Sequence, residues 1–559
     1  MLHTHADTFP GNERVRRRIF GHWLPDVGHP AIAILFVLFF PLIVEFTYSD
    51  FVRESELNTR VGWFLVLLAA FGIVRHKSFR YLTLGLFAVS GSLDNLYATT
   101  FGGVFTTASF EAMALTDSHE AVEFLHAYAG FTNLGLLGLY LTGSVYLIGK
   151  IRLPEKRTRW TTPVMVLGAV FMAVASYRIL VMKSYYDTIP GFLGTMPSYF
   201  AGYENVEKEI AQRKRLVENS AVAVALDQAD TPQTYVVIIG ESLTRRHMGI
   251  YGYARDTTPE LTAMGNELTV FEDVVSARAQ TQPSLREALT QAGSDSPLDV
   301  SDALSIVDMA NKAGFKTWWI SNQQPLRHTL SAIAAMADET QFISNDFKGV
   351  QVRRFDGFLL PYIDKALNDH AAKKAIFIHL MGSHLQYANR YPDEFRRFTD
   401  AAVHGYTTDL SAKQIDYINA YDNSVAYTDF VVSSVFKTLK ETAARSNAIS
   451  AALFFSDHGE EVFDTKDFVG HGPDRVSRGM VEIPFIAWTS SQYRQRRPFQ
   501  FANIENNLDK PYLLDDAFHT MVELMGMETT LLHKSRSLAS EIYQAKPRLI
   551  YGKDYDATS

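Results

Sequence analysis

The stretch Thr234–Glu241, TYVVIIGE, decides how the chain is read. Val236, Val237, Ile238 and Ile239 follow one another with no polar residue between them. Such a run predicts a strand buried on both faces, as in a parallel sheet covered by helices on either side. Gly240 allows a sharp turn, and Glu241 then stands at the carboxyl end of the strand, where open α/β sheets gather their ligands. Three later stretches repeat the design: KAIFIHLMGSH (Lys374 to His384), AALFFSDHGEE (Ala451 to Glu461) and the turn that holds Thr281. Polar groups arriving from several strand ends predict a metal site on one edge of a sheet.

Around these stretches, strand and helix patterns alternate. KTWWISN (Lys316 to Asn322), KAIFIHL and AALFFSD read as parallel strands, and IPFIAWTS (Ile483 to Ser490) supplies another. Helical patterns fall at Pro361–His370 and Tyr421–Thr438. The alternation predicts an α/β/α sandwich over residues 234–559.

The remainder of the 559 residues has a different composition. Five apolar blocks fill the first third, at Ala31–Phe46, Val61–Val74, Tyr81–Ala98, Phe124–Ile148 and Pro163–Met182. A spanning helix needs about 20 residues, so the second block has to recruit Leu57 and its neighbours. Arg14, Arg16, Arg17 and Arg18 precede the first block, and basic clusters separate the second from the third and the fourth from the fifth. The alternate loops are acidic, with Arg53 and Arg60 their basic residues. The positive-inside rule therefore predicts five spans over residues 1–183, a cytoplasmic N-terminus, and a chain that continues outside, which in a bacterium is the periplasm. Residues 184–233 read as interfacial helices and a linker. No cleavable signal peptide is read at the N-terminus. Within the outer loop Phe101–Phe124, Thr116 and Glu120 are four apart and share a helix face, where the carboxylate could receive an ammonium group.

A net charge of −8 argues against a nucleic-acid binder. With 0 cysteines, any metal must be held by carboxylates, imidazoles and hydroxyls. Glu241, Asp457, His458 and a hydroxyl have the chemistry of a zinc site. An acid after a strand is more often a turn residue or helix cap; the coincidence on several strands carries the argument. His379, His384 and His471 occupy similar positions and suit phosphate contact, proton transfer or a second ion. Ser242 is one candidate nucleophile, but GESLT lacks the second glycine of a nucleophile elbow. Thr281 is the better one. It opens a helix-forming run with Pro283 in the first turn, where backbone N–H groups favour an anion.

GESLTRRHMGIYGYARDTTPEL (Gly240 to Leu261), the threonine turn, HLMGSH and FSDHGEE resemble the phosphoethanolamine transferases of the alkaline phosphatase/sulfatase superfamily. These are bacterial inner-membrane enzymes with five spans and a periplasmic domain. The resemblance implies zinc held by Glu241, Thr281, Asp457 and His458, with one ion expected and room for a second. It implies Thr281 as nucleophile, His384 and His471 as catalytic or phosphate-contacting groups, and Asn322 and His379 near the substrate. Thr116 and Glu120 match a donor-headgroup pattern whose Asn position is Ala112 here. The implied donor is phosphatidylethanolamine, and the implied acceptor is lipopolysaccharide core, lipid A or periplasmic glucan. The absence of cysteine sets the chain closer to the core and glucan branch than to the lipid A branch. A glycerol-phosphate transferase, or a phosphodiesterase or sulfatase, would use the same architecture.

Overall fold

The computed structural model describes residues 28–48, 54–105, 109–110, 113, 130–153, 161–182, 184–185, 187–202, 206–323, 329–343, 355–401, 403, 410–473 and 476–557. Thr116, Glu120 and Ala112 lie outside the described residues. The chain divides into two compact units, Met1–Tyr203 and Glu204–Ser559.

In the first unit, helices α1 (Pro30–Tyr48), α2 (Glu54–Ile73), α3 (Lys77–Phe101), α4 (Phe131–Lys150) and α5 (Thr161–Leu180) fall on the five apolar blocks. Four of them, α1, α2, α4 and α5, are long and apolar enough to cross a membrane. The third, α3, carries Lys77, Arg80 and Asp94. The sequence reading counts Arg60 among the outer-loop charges while extending the second block toward Leu57; α2 starts at Glu54 and takes Glu56 and Arg60 inside the helix. Both are buried. A helix can carry them because partners wait on its neighbours. The Arg60 guanidinium lies 3.0 Å from Glu45 of α1, 2.8 Å from Glu56 and 3.7 Å from Asp94 of α3. Its Nη1 also donates to the Leu38 carbonyl at 2.6 Å. Asp94 and Ser90 in turn accept the Phe192 and Leu193 N–H groups, at 2.9 and 3.2 Å, at the start of helix α6 (Phe192–Gly202). Helix N-termini leave such donors unpaired, and here α3 supplies the acceptors.

The second unit begins with the charged helix α7 (Val206–Asn219), which Arg213 ties to the buried Asp308 at 2.6 Å. The elements that build the site follow in order: β1 (Gln233–Gly240), β2 (Leu268–Val270), α8 (Thr281–Ala288), β3 (Lys316–Ser321), β4 (Glu339–Phe342), β5 (Lys373–His379), α9 (Ala412–Ser446), β6 (Ile449–Ser456) and β7 (Phe485–Thr489). The sheet order is β2-β7-β6-β1-β5-β3-β4. Strands β6, β1, β5, β3 and β4 run parallel, and β7 pairs antiparallel with both β6 and β2, so the sheet is mixed.

Alternate residues of β1 enter opposite cores. Tyr235, Val237 and Ile239 pack with Leu285 and Ala288 of α8, while Val236 and Ile238 pack with Tyr421, Val425, Val432, Phe436 and Leu439 of α9. A β-branched run without alternation is what a strand with two apolar faces requires. Three layers result. Helix α9 is longer than its apolar stripe predicts, at 35 residues. Ser411 and Gln414 form a capping box at its start, and Asn447 ends it in the left-handed conformation.

Candidate metal centre

Strands β1 and β6 are neighbours in parallel register, Gly240 opposite Ser456. The residues that follow each therefore emerge side by side: Glu241 from β1, Asp457 and His458 from β6. Helix α8 brings Thr281 to the same point, because the Ser284 hydroxyl donates to the Asp457 carbonyl at 2.6 Å and locks the helix's first turn there. Thr281 Oγ1 lies 3.0 Å from Glu241 Oε2 and 3.4 Å from His458 Nε2. His458 Nε2 is 3.4 Å from Glu241 Oε1 and 3.4 Å from Asp457 Oδ2. Glu241, Asp457 and His458 are buried and Thr281 is half-buried.

The ligand atoms are held from behind. Asp457 Oδ1 accepts the N–H groups of Ser242 at 3.1 Å and His458 at 2.7 Å, while its Oδ2 is buried without a hydrogen bond. His458 Nδ1 lies 2.8 Å from the Gly459 carbonyl. A carbonyl only accepts, so Nδ1 carries the hydrogen, and Nε2 faces the cluster, offering a lone pair whenever the ring is neutral. The turn after β5 also closes on Glu241. Gly382 is left-handed there, and a Cβ on it would sit 2.7 Å from the Glu241 carbonyl.

Two carboxylates, an imidazole nitrogen and a hydroxyl are ligands that suit zinc. The unpartnered Asp457 Oδ2 and the convergence of donor atoms on one point fit that ion. Glu241, Asp457, His458 and Thr281 would hold it. Without a metal, the same atoms share protons. Burial opposes charge on His458, but Asp457 and Glu241 beside it hold its imidazolium up to about 10. Burial also opposes charge on Glu241; the His458 hydrogen bond and charge outweigh it and carry that carboxyl well below its ordinary range. Burial and the neighbouring Glu241 push Asp457 up to about 8.

The histidines form a second tier. His458 and His471 rings are 4.1 Å apart by centroid, and His384 lies 6.4 Å from His471. His471 Nδ1 is 2.6 Å from Glu460 Oε2, and Glu460 Oε1 accepts the Tyr387 hydroxyl at 2.5 Å. Burial lowers His384 to about 3 and His379 to about 4, so both rings are neutral near pH 7. His384 Nδ1 and His379 Nε2 are buried without hydrogen-bond partners. Asn322 donates its amide to Asp356 at 2.8 Å. Asp356 also accepts the Met381 and Gly382 N–H groups, which fixes the turn that leads to His384. Sequence reasoning missed Asp356, Glu460 and Gln323, whose amide donates to Glu241 Oε2 at 3.3 Å. Gln323 and Glu460 each lie beside a strand-end residue that was read, and that adjacency is the signal available. Asp356 carries none.

A mixed α/β sheet with this cluster at its strand ends defines a metal-dependent enzyme of the sulfatase type, and residues 233–527 match the sulfatase family. Phosphoethanolamine transferase EptC of Escherichia coli (strain K12) is 29% identical over 546 residues, covering 93% of this chain and 92% of its own. CptA of Salmonella typhimurium, also a phosphoethanolamine transferase, is 29% identical over the same length. The crystal structure of the E. coli EptC periplasmic domain in complex with zinc is 34% identical, covers 58% of this chain and 91% of that one, and has a TM-score of 0.55. The integral membrane protein EptA of Neisseria meningitidis shares the fold over 92% of this chain and 99% of its own, with a TM-score of 0.62 at 22% identity. The chain belongs to the phosphoethanolamine transferases of the sulfatase family.

Proposed function

We propose that this protein transfers phosphoethanolamine from phosphatidylethanolamine to a periplasm-facing glycan or lipopolysaccharide acceptor, through a phospho-threonine at Thr281. The observation that carries the reading is the position of Thr281 Oγ1, 3.0 Å from Glu241 and 3.4 Å from His458 at the first residue of a helix. The hydroxyl donates to the Glu241 carboxylate, which orients its lone pairs outward. The first helical turn can offer a phosphate the Thr281 and Gln282 N–H groups, since Pro283 has none and the Ser284 N–H donates to the Gln280 carbonyl. Bound zinc lowers the pKa of the hydroxyl it holds and neutralises charge on the phosphate. Thr281 Oγ1 gives its proton to the histidine tier and forms the new bond to phosphorus as the bond to the diacylglycerol oxygen breaks, and the tier returns the proton to that leaving oxygen. In the second half, the acceptor oxygen attacks phosphorus, an imidazole takes the acceptor's proton, and a proton restores the Thr281 hydroxyl as its bond to phosphorus breaks. His471 is suited to that step. Its Nδ1–H is committed to Glu460, which leaves Nε2 to receive the proton.

The donor is a bilayer lipid, which gives the apolar helices their purpose. In this reading all five helices span the inner membrane, the N-terminus is cytoplasmic, and residues 234–559 are the periplasmic catalytic domain, joined to residues 1–183 through 184–233. Thr116 and Glu120 receive the donor's ammonium group, and His379 and Asn322 line the substrate side of the centre. Lipopolysaccharide core or a periplasmic glucan is favoured as acceptor over lipid A.

The test is intact mass of the full-length protein after incubation with phosphatidylethanolamine, beside a Thr281→Ala variant. The wild type gains one phosphoethanolamine and the variant gains none, with turnover reduced by about 10³-fold or more. Release of diacylglycerol with no adduct on the wild type would replace the reading with a hydrolase.

A further inference from the structure

We infer that Ser242 is a positioning residue for the centre, holding the two acidic ligands in the orientation that binds the ion; this rests on the reading of Glu241 and Asp457 as zinc ligands. Ser242 is fully buried and in contact with both carboxylates. Its hydroxyl donates to Glu241 Oε1 at 2.8 Å. Its backbone N–H donates to Asp457 Oδ1 at 3.1 Å. The two bonds engage one oxygen on each acid: on Asp457 they leave Oδ2 without a hydrogen bond, and on Glu241 both oxygens stay turned to the cluster, Oε1 3.4 Å from His458 Nε2 and Oε2 3.0 Å from Thr281 Oγ1. One residue thus restrains the orientation of both carboxylates.

The backbone of Ser242 is unusual. It is left-handed, with φ of 55°, a conformation that favours glycine. The surroundings fix it: the Ser242 carbonyl accepts the Tyr421 hydroxyl at 2.8 Å, and the next residue's N–H donates to Ser456 Oγ at 3.0 Å. Glycine would relieve the conformation but supply no hydroxyl. A serine here implies that the side chain has a task that backbone comfort does not meet. Ligating carboxylates are ordinarily held by such outer hydrogen bonds, whose loss weakens metal affinity by about 10–100-fold.

The test is a zinc titration against a competing chelator, at fixed pH, on full-length wild type and the variants Ser242→Ala and Ser242→Gly. Both variants keep the N–H bond to Asp457 and lose only the hydroxyl. The expected result is zinc affinity about 10–100-fold weaker in both, with unchanged near-ultraviolet circular dichroism. Equal affinity in all three proteins overturns the proposal. So does a weak Ala variant beside a Gly variant that binds like wild type, since the fault would then lie in the backbone. Should the Ala variant fail to fold, the Gly variant, relaxed at this φ, decides alone. A wild type that binds no zinc would instead sink the metal reading itself.

Discussion

A buried cluster of acids in the first unit and one in the second are built oppositely. In the first unit Glu45, Glu56 and Asp94 surround the Arg60 guanidinium. In the second, Glu241 and Asp457 surround the His458 imidazole. A guanidinium cannot be deprotonated in a protein and gives its donors in a fixed fork. An imidazolium can lose its proton and then offers a lone pair. The first cluster is therefore closed, its cation permanent and its role mechanical: it ties α1, α2 and α3 together. The second, as proposed, would exchange one cation for another. Buried acids alone do not mark a metal site; what marks it is a neutralising partner that can be displaced.

The largest expected effect that would break this contrast comes from Arg60→Met. It removes the shared cation from three buried carboxylates, and losing one partner of a buried ion set costs about 3–5 kcal/mol. The outcome to look for is a sharply lower thermal midpoint in detergent, before any effect on zinc is asked about. An Arg60→Met variant as stable as wild type would show that the first cluster is not self-neutralised.

Asp457→Asn should behave in the opposite way. It removes a ligand oxygen, so zinc affinity falls by more than about 100-fold, beyond the range of outer-shell partners. Yet the metal-free variant should melt no lower than metal-free wild type, because it sheds a buried carboxyl that lacks a permanent counter-charge. Calorimetry with and without chelator separates the two effects.

The smallest effect is a pH dependence. His458 is held up to about 10, so near pH 7 the metal-free ring carries a proton on the nitrogen that a metal needs. Zinc must expel it together with the proton that Asp457, pushed up to about 8, holds near pH 7, so affinity rises as pH rises, by about a hundredfold per unit for two protons released. Competition titrations at pH 6, 7 and 8 read the slope. A flat profile would mean that the second cluster is as closed as the first.

The legible part of the molecule was the part governed by short range. The run Val236–Ile239 announces a two-faced strand, and Glu241, Asp457 and Thr281 announce themselves by standing at the end of an element. What stayed hidden depends on which elements become neighbours. Arg60 looks like a loop charge until α1 and α3 bring Glu45 and Asp94 to it. Asp356 sits far from any strand end, and its link to the His384 turn exists only in the fold. The antiparallel placement of β7 is likewise a matter of pairing, which strand composition does not encode.

The register of β1 against β6 has a consequence in time. Ser242 and Asp457, in hydrogen-bond contact, stand 215 positions apart in the chain. No nascent fragment that stops short of His458 possesses the centre. A slip of one residue in that pairing would turn the ligands of one strand end to the opposite face. Metal capture thus waits on synthesis past His458, and occupancy of the centre certifies that β1 and β6 have met in register.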